Sequence, residues 1–235
     1  MPLKVLIVIP CYNEETALPG VLQELQQLKL PVELTLEVVV INDCSKDGTA
    51  AVARKFGAKV LDLACNLGIG GAVQTGIKYA NNNGFDVAIQ LDGDGQHPPS
   101  EIIKLINAYQ KHQADLVIGS RFLDHEGFQS SYIRRLGIVY FYRLNKLLTG
   151  NPIFDSTSGF RLLSKKAIAI AAENYPDEYP EPESLVTFSK KKLLIKEVAV
   201  VMRARAGGQS SIKHTASLYY CVKVTIAMLF SYIRK

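Results

Sequence analysis

The chain has 235 residues, 48% of them apolar and 21% charged, enough to bury the core of one α/β domain without disulfide or metal staples. The 27 Lys and Arg against 22 Asp and Glu leave a net charge of +5, short of a nucleic-acid-binding stripe but suited to a phosphate-rich ligand or an anionic membrane face. The four cysteines, Cys11, Cys44, Cys65 and Cys221, are scattered without a CxxC pair, which argues against zinc and disulfides and for a reducing cytosol.

In chain order, Val5–Ile9 is the first predicted strand and follows Met1 too closely to leave room for a signal peptide. Further strands are expected at Leu36–Ile41, Lys59–Leu63, Val87–Leu91 and Leu116–Gly119. Between them, apolar spacing predicts helices at Glu14–Leu28, Asp47–Phe56, Gly71–Asn81 and Pro99–Lys111. Runs such as Val38–Ile41 are apolar on both faces, as parallel strands covered by helices on both sides must be. The expected fold class is therefore α/β, a single Rossmann-like domain with a mostly parallel sheet and ligands bound beyond the strands' C-terminal ends.

Beyond residue 120 the spacing predicts a basic helix at Tyr132–Leu148, carrying Arg134, Arg135, Arg143 and Lys146. A small-residue loop, Asp155–Arg161, and a short helix near Lys165–Glu173 come next. Pro176, Pro180 and Pro182 predict an irregular stretch. A last strand is expected at Leu194–Val201 and an apolar helix at Ser217–Ile233. The boundaries are residues 1–212 for the domain and 213–235 for the C-terminal helix, packed on the domain, on a membrane or on a partner. No apolar run reaches the roughly 18 to 20 residues that span a bilayer.

Four consecutive strands deliver polar residues to one edge: Pro10-Cys-Tyr-Asn-Glu14, Asn42-Asp-Cys-Ser-Lys-Asp-Gly-Thr49, Asn66-Leu-Gly-Ile-Gly-Gly71 and Asp92-Gly-Asp-Gly-Gln-His97. Asp92 and Asp94, two residues apart at a strand end, can hold a hard divalent cation, although the dipeptide alone reads more readily as an ordinary Asp-Gly turn. Gly68–Gly71 has the wrong spacing for a dinucleotide fingerprint and reads as a helix start with small residues for close packing. Asp47 reads as a helix cap, whereas Asp43 is positioned to accept hydrogen bonds from a nucleobase.

Together with Gly119-Ser-Arg121, these motifs resemble the family-2 glycosyltransferases of the GT-A fold, over at least residues 4 to 212. The resemblance implies that Asp92 and Asp94 hold Mg²⁺ or Mn²⁺ against a sugar nucleotide's diphosphate. It puts Pro10, Tyr12, Glu14, Asp43 and Gln96 around the nucleotide sugar, with UDP preferred. The second half is similar to the polyprenyl-phosphate branch of that family. There Arg121, Ser131 and Arg134 would meet the lipid phosphate, and Arg205, in Arg205-Ala-Gly-Gly-Gln-Ser210, the diphosphate. Many members of that branch carry transmembrane helices. Here membrane contact would come from surface helices or a small membrane-protein partner, at the inner face of the cell membrane.

The implied reaction is inverting transfer of a sugar to undecaprenyl or another polyprenyl phosphate for cell-surface glycan synthesis. An ionised phosphate needs little base assistance, whereas a glycan hydroxyl needs a positioned carboxylate. The family's usual Asp base is missing. Glu181 and Glu183 stand in its region, as bases or as solvated loop acids. A glycan-hydroxyl acceptor and a non-catalytic nucleotide-sugar-binding subunit are the competing readings, and a homo-oligomer is left open.

Overall fold

The computed structural model describes residues 2–123, 132–203 and 217–234. The sheet has seven strands: β1 (Leu3–Cys11), β2 (Leu34–Asn42), β3 (Lys59–Asp62), β4 (Val87–Gln90), β5 (Leu116–Ser120), β6 (Arg161–Ser164) and β7 (Ile195–Ala199). Their order is β3-β2-β1-β4-β6-β5-β7. All neighbours are parallel except β6, which runs antiparallel to both β4 and β5. The strand-helix alternation read from the first half holds. β6 is the correction, because no strand was expected between the small-residue loop and the next helix.

The central strands are buried on both faces because helices cover both. On one side α1 (Leu18–Gln26) turns Leu18, Val21, Leu22 and Leu25 inward, the i, i+3, i+4, i+7 spacing of an amphipathic helix. It shares that core with α2 (Thr49–Lys55) and α4 (Ile102–His112). On the other side lie α3 (Gly68–Asn82), α6 (Lys165–Glu173) and α7 (Pro180–Lys190). Gly76 lets α3 settle on the sheet, since a Cβ there would lie 2.1 Å from Val8 Cγ1.

The proline-bracketed stretch is the second correction, because Pro180 opens α7 instead of preventing a helix. A first-turn N–H has no partner inside the helix, so prolines at positions 180 and 182 lose nothing there, and their fixed φ suits the turn. The basic helix is α5 (Tyr132–Thr149) and the terminal helix α8 (Ser217–Ile233). Phe141 of α5, Val186 of α7 and Val224 and Met228 of α8 form a third, smaller core. Lys190 donates to the carbonyls of Ser231 and Tyr232 at 3.2 and 3.0 Å, tying the end of α7 to that of α8. No helix among the described residues is long and apolar enough to cross a membrane.

Candidate functional site

β1, β2 and β4 run parallel, so the segments after Cys11, Asn42 and Gln90 emerge at one edge. β6 runs the other way, and its start at Arg161 pairs with Gln90, bringing Gly159 and Phe160 to that edge. The sequence motifs before and after residue 150 thus meet in space.

The loops after β1 and β2 are laced to each other. Asn13, with φ +57°, donates its N–H to Ser45 Oγ at 3.0 Å and accepts from Lys46 N at 2.8 Å. The Glu14 N–H reaches Thr49 Oγ1 at 2.9 Å. Asp47 accepts from Thr49 N at 3.0 Å and from Glu15 N at 3.2 Å, so it closes the turn before α2 and also holds the β1 loop. Burial alone would raise the Asp47 carboxyl, but the hydrogen bonds from Thr49 and Glu15 bring it below the usual value. Tyr12 lies beside this lacework, 45% exposed.

Asp43 is buried, and its two carboxylate oxygens accept from Leu67 N at 2.7 Å and Gly68 N at 2.9 Å. Across the chain from β2, it caps the opening turn of α3, where orphan N–H groups favour negative charge. A nucleobase would have to share oxygens already bonded to that backbone. The glycines after it serve close packing, as expected: a Cβ on Gly70 would lie 2.4 Å from the Pro176 carbonyl and 2.3 Å from that of Asp177.

The Asp92–His97 loop follows β4. Asp94 is buried and accepts from Gln96 N at 3.0 Å, and the Gln96 carbonyl receives the Arg203 N–H at 2.9 Å. His97 is 3% exposed, stacks on Phe160 with ring centroids 5.0 Å apart, and brings Nδ1 within 3.4 Å of Asp92 Oδ2. A Cβ on Gly159 would lie 2.9 Å from Gln90 Nε2 and 3.2 Å from Asp92 Oδ1, so only glycine leaves this approach open. Burial pushes the Cys11 thiol well up, and Glu14, Asp92, Asp47 and Asp94 push it further. Those four carboxylates make this edge of the sheet a negative pole, the environment a cation seeks.

No group of three His, Cys, Asp or Glu donors occurs among the described residues. Two carboxylates with an amide side chain beside them fit a hard cation such as Mg²⁺ or Mn²⁺ that completes its shell with water and ligand phosphate, and not a closed structural metal site.

Arg161, one of the largest fully buried side chains, links this loop to α7. Nε donates to the Ser158 carbonyl at 2.7 Å and Nη2 to that of Ser156 at 2.8 Å. Nη1 reaches the Glu181 carbonyl at 2.8 Å and Ser184 Oγ at 3.0 Å. Glu181 is itself near enough to the site for its carboxyl to feel Asp92. Burial raises its carboxyl, Arg161 draws it down and Asp92 pushes it up again. Glu183, two residues on, is directed elsewhere and accepts from Ser231 of α8 at 3.2 Å.

Arg121 forms a fork with the buried Asp155, Nε to Oδ2 and Nη2 to Oδ1 both at 2.6 Å, and Nη2 also reaches Thr157 Oγ1 at 3.0 Å. The guanidinium is a fixed cation beside a fixed anion. Ser131 and Arg205 lie outside the described residues, as does the side chain of Arg134. Sequence reasoning passed over Gln90, His97 and the clamp role of Arg161. Their types were visible, but their burial depends on β6, which was not.

A family model described as "Glycosyl transferase family 2" matches residues 6–170. A UDP-N-acetylglucosamine–dolichyl-phosphate N-acetylglucosaminyltransferase of Methanococcus voltae is 30% identical over 214 residues, 83% of each chain. An undecaprenyl-phosphate mannosyltransferase of Micrococcus luteus is 37% identical over 165 residues, 68% of this chain and 65% of that one. Among solved structures, glucosyl-3-phosphoglycerate synthase of Mycobacterium tuberculosis, in complex with Mn²⁺, UDP and its glucosylated product, aligns with a TM-score of 0.72 at 18% identity, covering 98% of this chain and 80% of that one. At that identity the likeness speaks for the fold.

Proposed function

The chain belongs to glycosyl transferase family 2, and on that premise we propose that it moves a sugar from a UDP-sugar to a polyprenyl phosphate. The observation that carries this reading is the match, over most of both chains, to a relative named for transfer to dolichyl phosphate. The geometry supports it with a negative pole at the sheet edge and a second half that reaches the same edge through β6.

In this reading Tyr12, Pro10, Glu14 and Asp43 border the nucleoside, and Asp92, Asp94 and Gln96 face the diphosphate. Mg²⁺ or Mn²⁺ bound there supplies positive charge against the departing diphosphate. Arg205 would add a protein cation on the same group, in the manner of preorganised electrostatic stabilisation. Arg121, Ser131 and Arg134 would receive the acceptor phosphate, with Asp155 holding the Arg121 fork in one orientation. An ionised phosphate is its own nucleophile, so Glu181 has no proton to remove.

A specific observation favours a second reading. Glu181 lies near the site and burial, the largest influence on its carboxyl, raises it, the condition of a carboxylate tuned for base work on a glycan hydroxyl. Incubation with a panel of radiolabelled sugar nucleotides and undecaprenyl phosphate, followed by solvent extraction, tests the two. Label in the lipid phase is expected. Label only on added glycan acceptors overturns the polyprenyl-phosphate assignment.

The membrane contact belongs to the outward face of α8. Tyr219, Val222, Ile226, Leu229, Phe230 and Ile233 recur at helical spacing, all at least 40% exposed, opposite the stripe of Val224 and Met228 that packs inward. Tyrosines at positions 219 and 232 and the cations Lys223 and Arg234 suit the headgroup layer of an anionic bilayer.

A further inference from the structure

Among the described residues, the side-chain polar atoms buried without a hydrogen-bond partner are those of Gln90, of His97 and Asn145 Oδ1. Gln90, two positions upstream of Asp92 on β4, has the Glu181 carboxyl beside it, which leaves His97, with Nδ1 at 3.4 Å from Asp92 Oδ2 but out of line for a hydrogen bond. Leaving one such atom unsatisfied costs about 1–3 kcal/mol, and folded proteins retain few of them. A phenyl ring would fill the niche over Phe160 without that cost. An imidazole held there with both nitrogens idle is better explained by what it does for Asp92.

We propose that His97 is a positioning residue for Asp92, its buried Nδ1–H standing ready to donate to Oδ2 and fix the plane of the carboxylate that faces the divalent cation. The stack on Phe160 sets the ring's orientation, and Phe160 is itself anchored, because its carbonyl accepts from Gly119 N at 2.8 Å. A carboxylate tethered through one oxygen presents the other in a fixed direction, and losing such an outer partner typically weakens metal affinity by roughly 10–100-fold. This inference rests on the reading of Asp92 as a cation-binding carboxylate, and the test separates the two.

Mn²⁺ is titrated into the full chain in the presence of UDP, with free Mn²⁺ followed by electron paramagnetic resonance, and each variant's melting temperature is recorded. His97→Phe keeps the ring and removes the donor. It is expected to raise the Mn²⁺ Kd at least tenfold while melting at or above the parent's temperature. His97→Asn restores an N–H near the Nδ1 position and is expected to bind within about threefold of the parent, by the same tether argument. Parent-like Mn²⁺ affinity in His97→Phe, or an Asn variant as weak as the Phe variant, overturns the proposal. Should the phenyl variant not fold, His97→Leu takes its place in the same comparison with His97→Asn. Asp92→Asn tests the premise separately: if it binds Mn²⁺ like the parent, the reading of Asp92 fails, whatever His97 does.

Discussion

Replacing Arg161 by Met tests the joint between the two halves of the site. The guanidinium donates four hydrogen bonds, three of them to the carbonyls of Ser156, Ser158 and Glu181. Methionine fills a similar volume but offers those carbonyls nothing, and each buried acceptor left unsatisfied costs about 1–3 kcal/mol. Part of that is offset because the variant has no cation to desolvate, a cost already visible in the lowering of the Arg161 pKa by burial. The net expectation is a loss of about 3–5 kcal/mol, the usual consequence of breaking a buried charged network. Urea denaturation followed by circular dichroism measures it, with an unchanged m-value showing that the same surface unfolds. Arg161→Lys keeps the charge without the fork and should fall between parent and Met. Limited proteolysis should find new cuts between residues 154 and 182 in the Met variant before the sheet itself opens. If Arg161→Met stays within about 1 kcal/mol of the parent, an amount typical of an unremarkable substitution, the clamp argument is wrong.

Other expectations are open to direct measurement. Glu181→Gln leaves the backbone carbonyl that Arg161 grips, so with a phosphate acceptor kcat should fall less than about tenfold, whereas a hydroxyl acceptor would make the loss roughly 10²–10⁴-fold. The same substitution has a stability signature. A carboxyl raised in the folded state favours folding when protonated and loses that contribution as pH rises through its folded pKa, so the Gln variant should lose less stability than the parent as pH is raised from below the usual carboxylate range. Asp94→Ala, and EDTA on the parent, should abolish transfer with little change in melting temperature; full activity in either case defeats the cation assignment. Ile226→Glu with Phe230→Glu should release the protein from anionic vesicles in a flotation assay while sugar-nucleotide binding persists. A change from dimer to monomer with vesicle binding intact would show instead that this face of α8 meets a second copy.

The first half was legible because its signals are local. Strands such as Val5–Ile9 are apolar on both faces, and the turn residues after them lie in one contiguous stretch each. The second half hides its order in long-range effects. β6 is only Arg-Leu-Leu-Ser, four residues opening on a cation, and it becomes a strand because β4 and β5 both need a partner between them. α7 was masked by prolines that are harmless in a first turn and disruptive anywhere later. Among site residues, Asp92 and Asp94 could be read from spacing. That Asp43 holds α3, that Glu181 and Glu183 point to different neighbours, and that Arg121 pairs with Asp155 follow only from tertiary packing.

The reversed strand also sets an order of assembly. While the chain is being made, β1, β2, β3 and β4 can pair as soon as β4 emerges, but the outer edge of β4 has no neighbour until β6 follows much later. During that interval a short strand, apolar but for Gln90 at its end, presents an open row of amide and carbonyl groups, the template on which chains stick to one another. Fragments that stop before Arg161 should therefore form inclusion bodies, and fragments that run past Ser164 should be recovered in the soluble fraction more readily than their extra length alone would suggest.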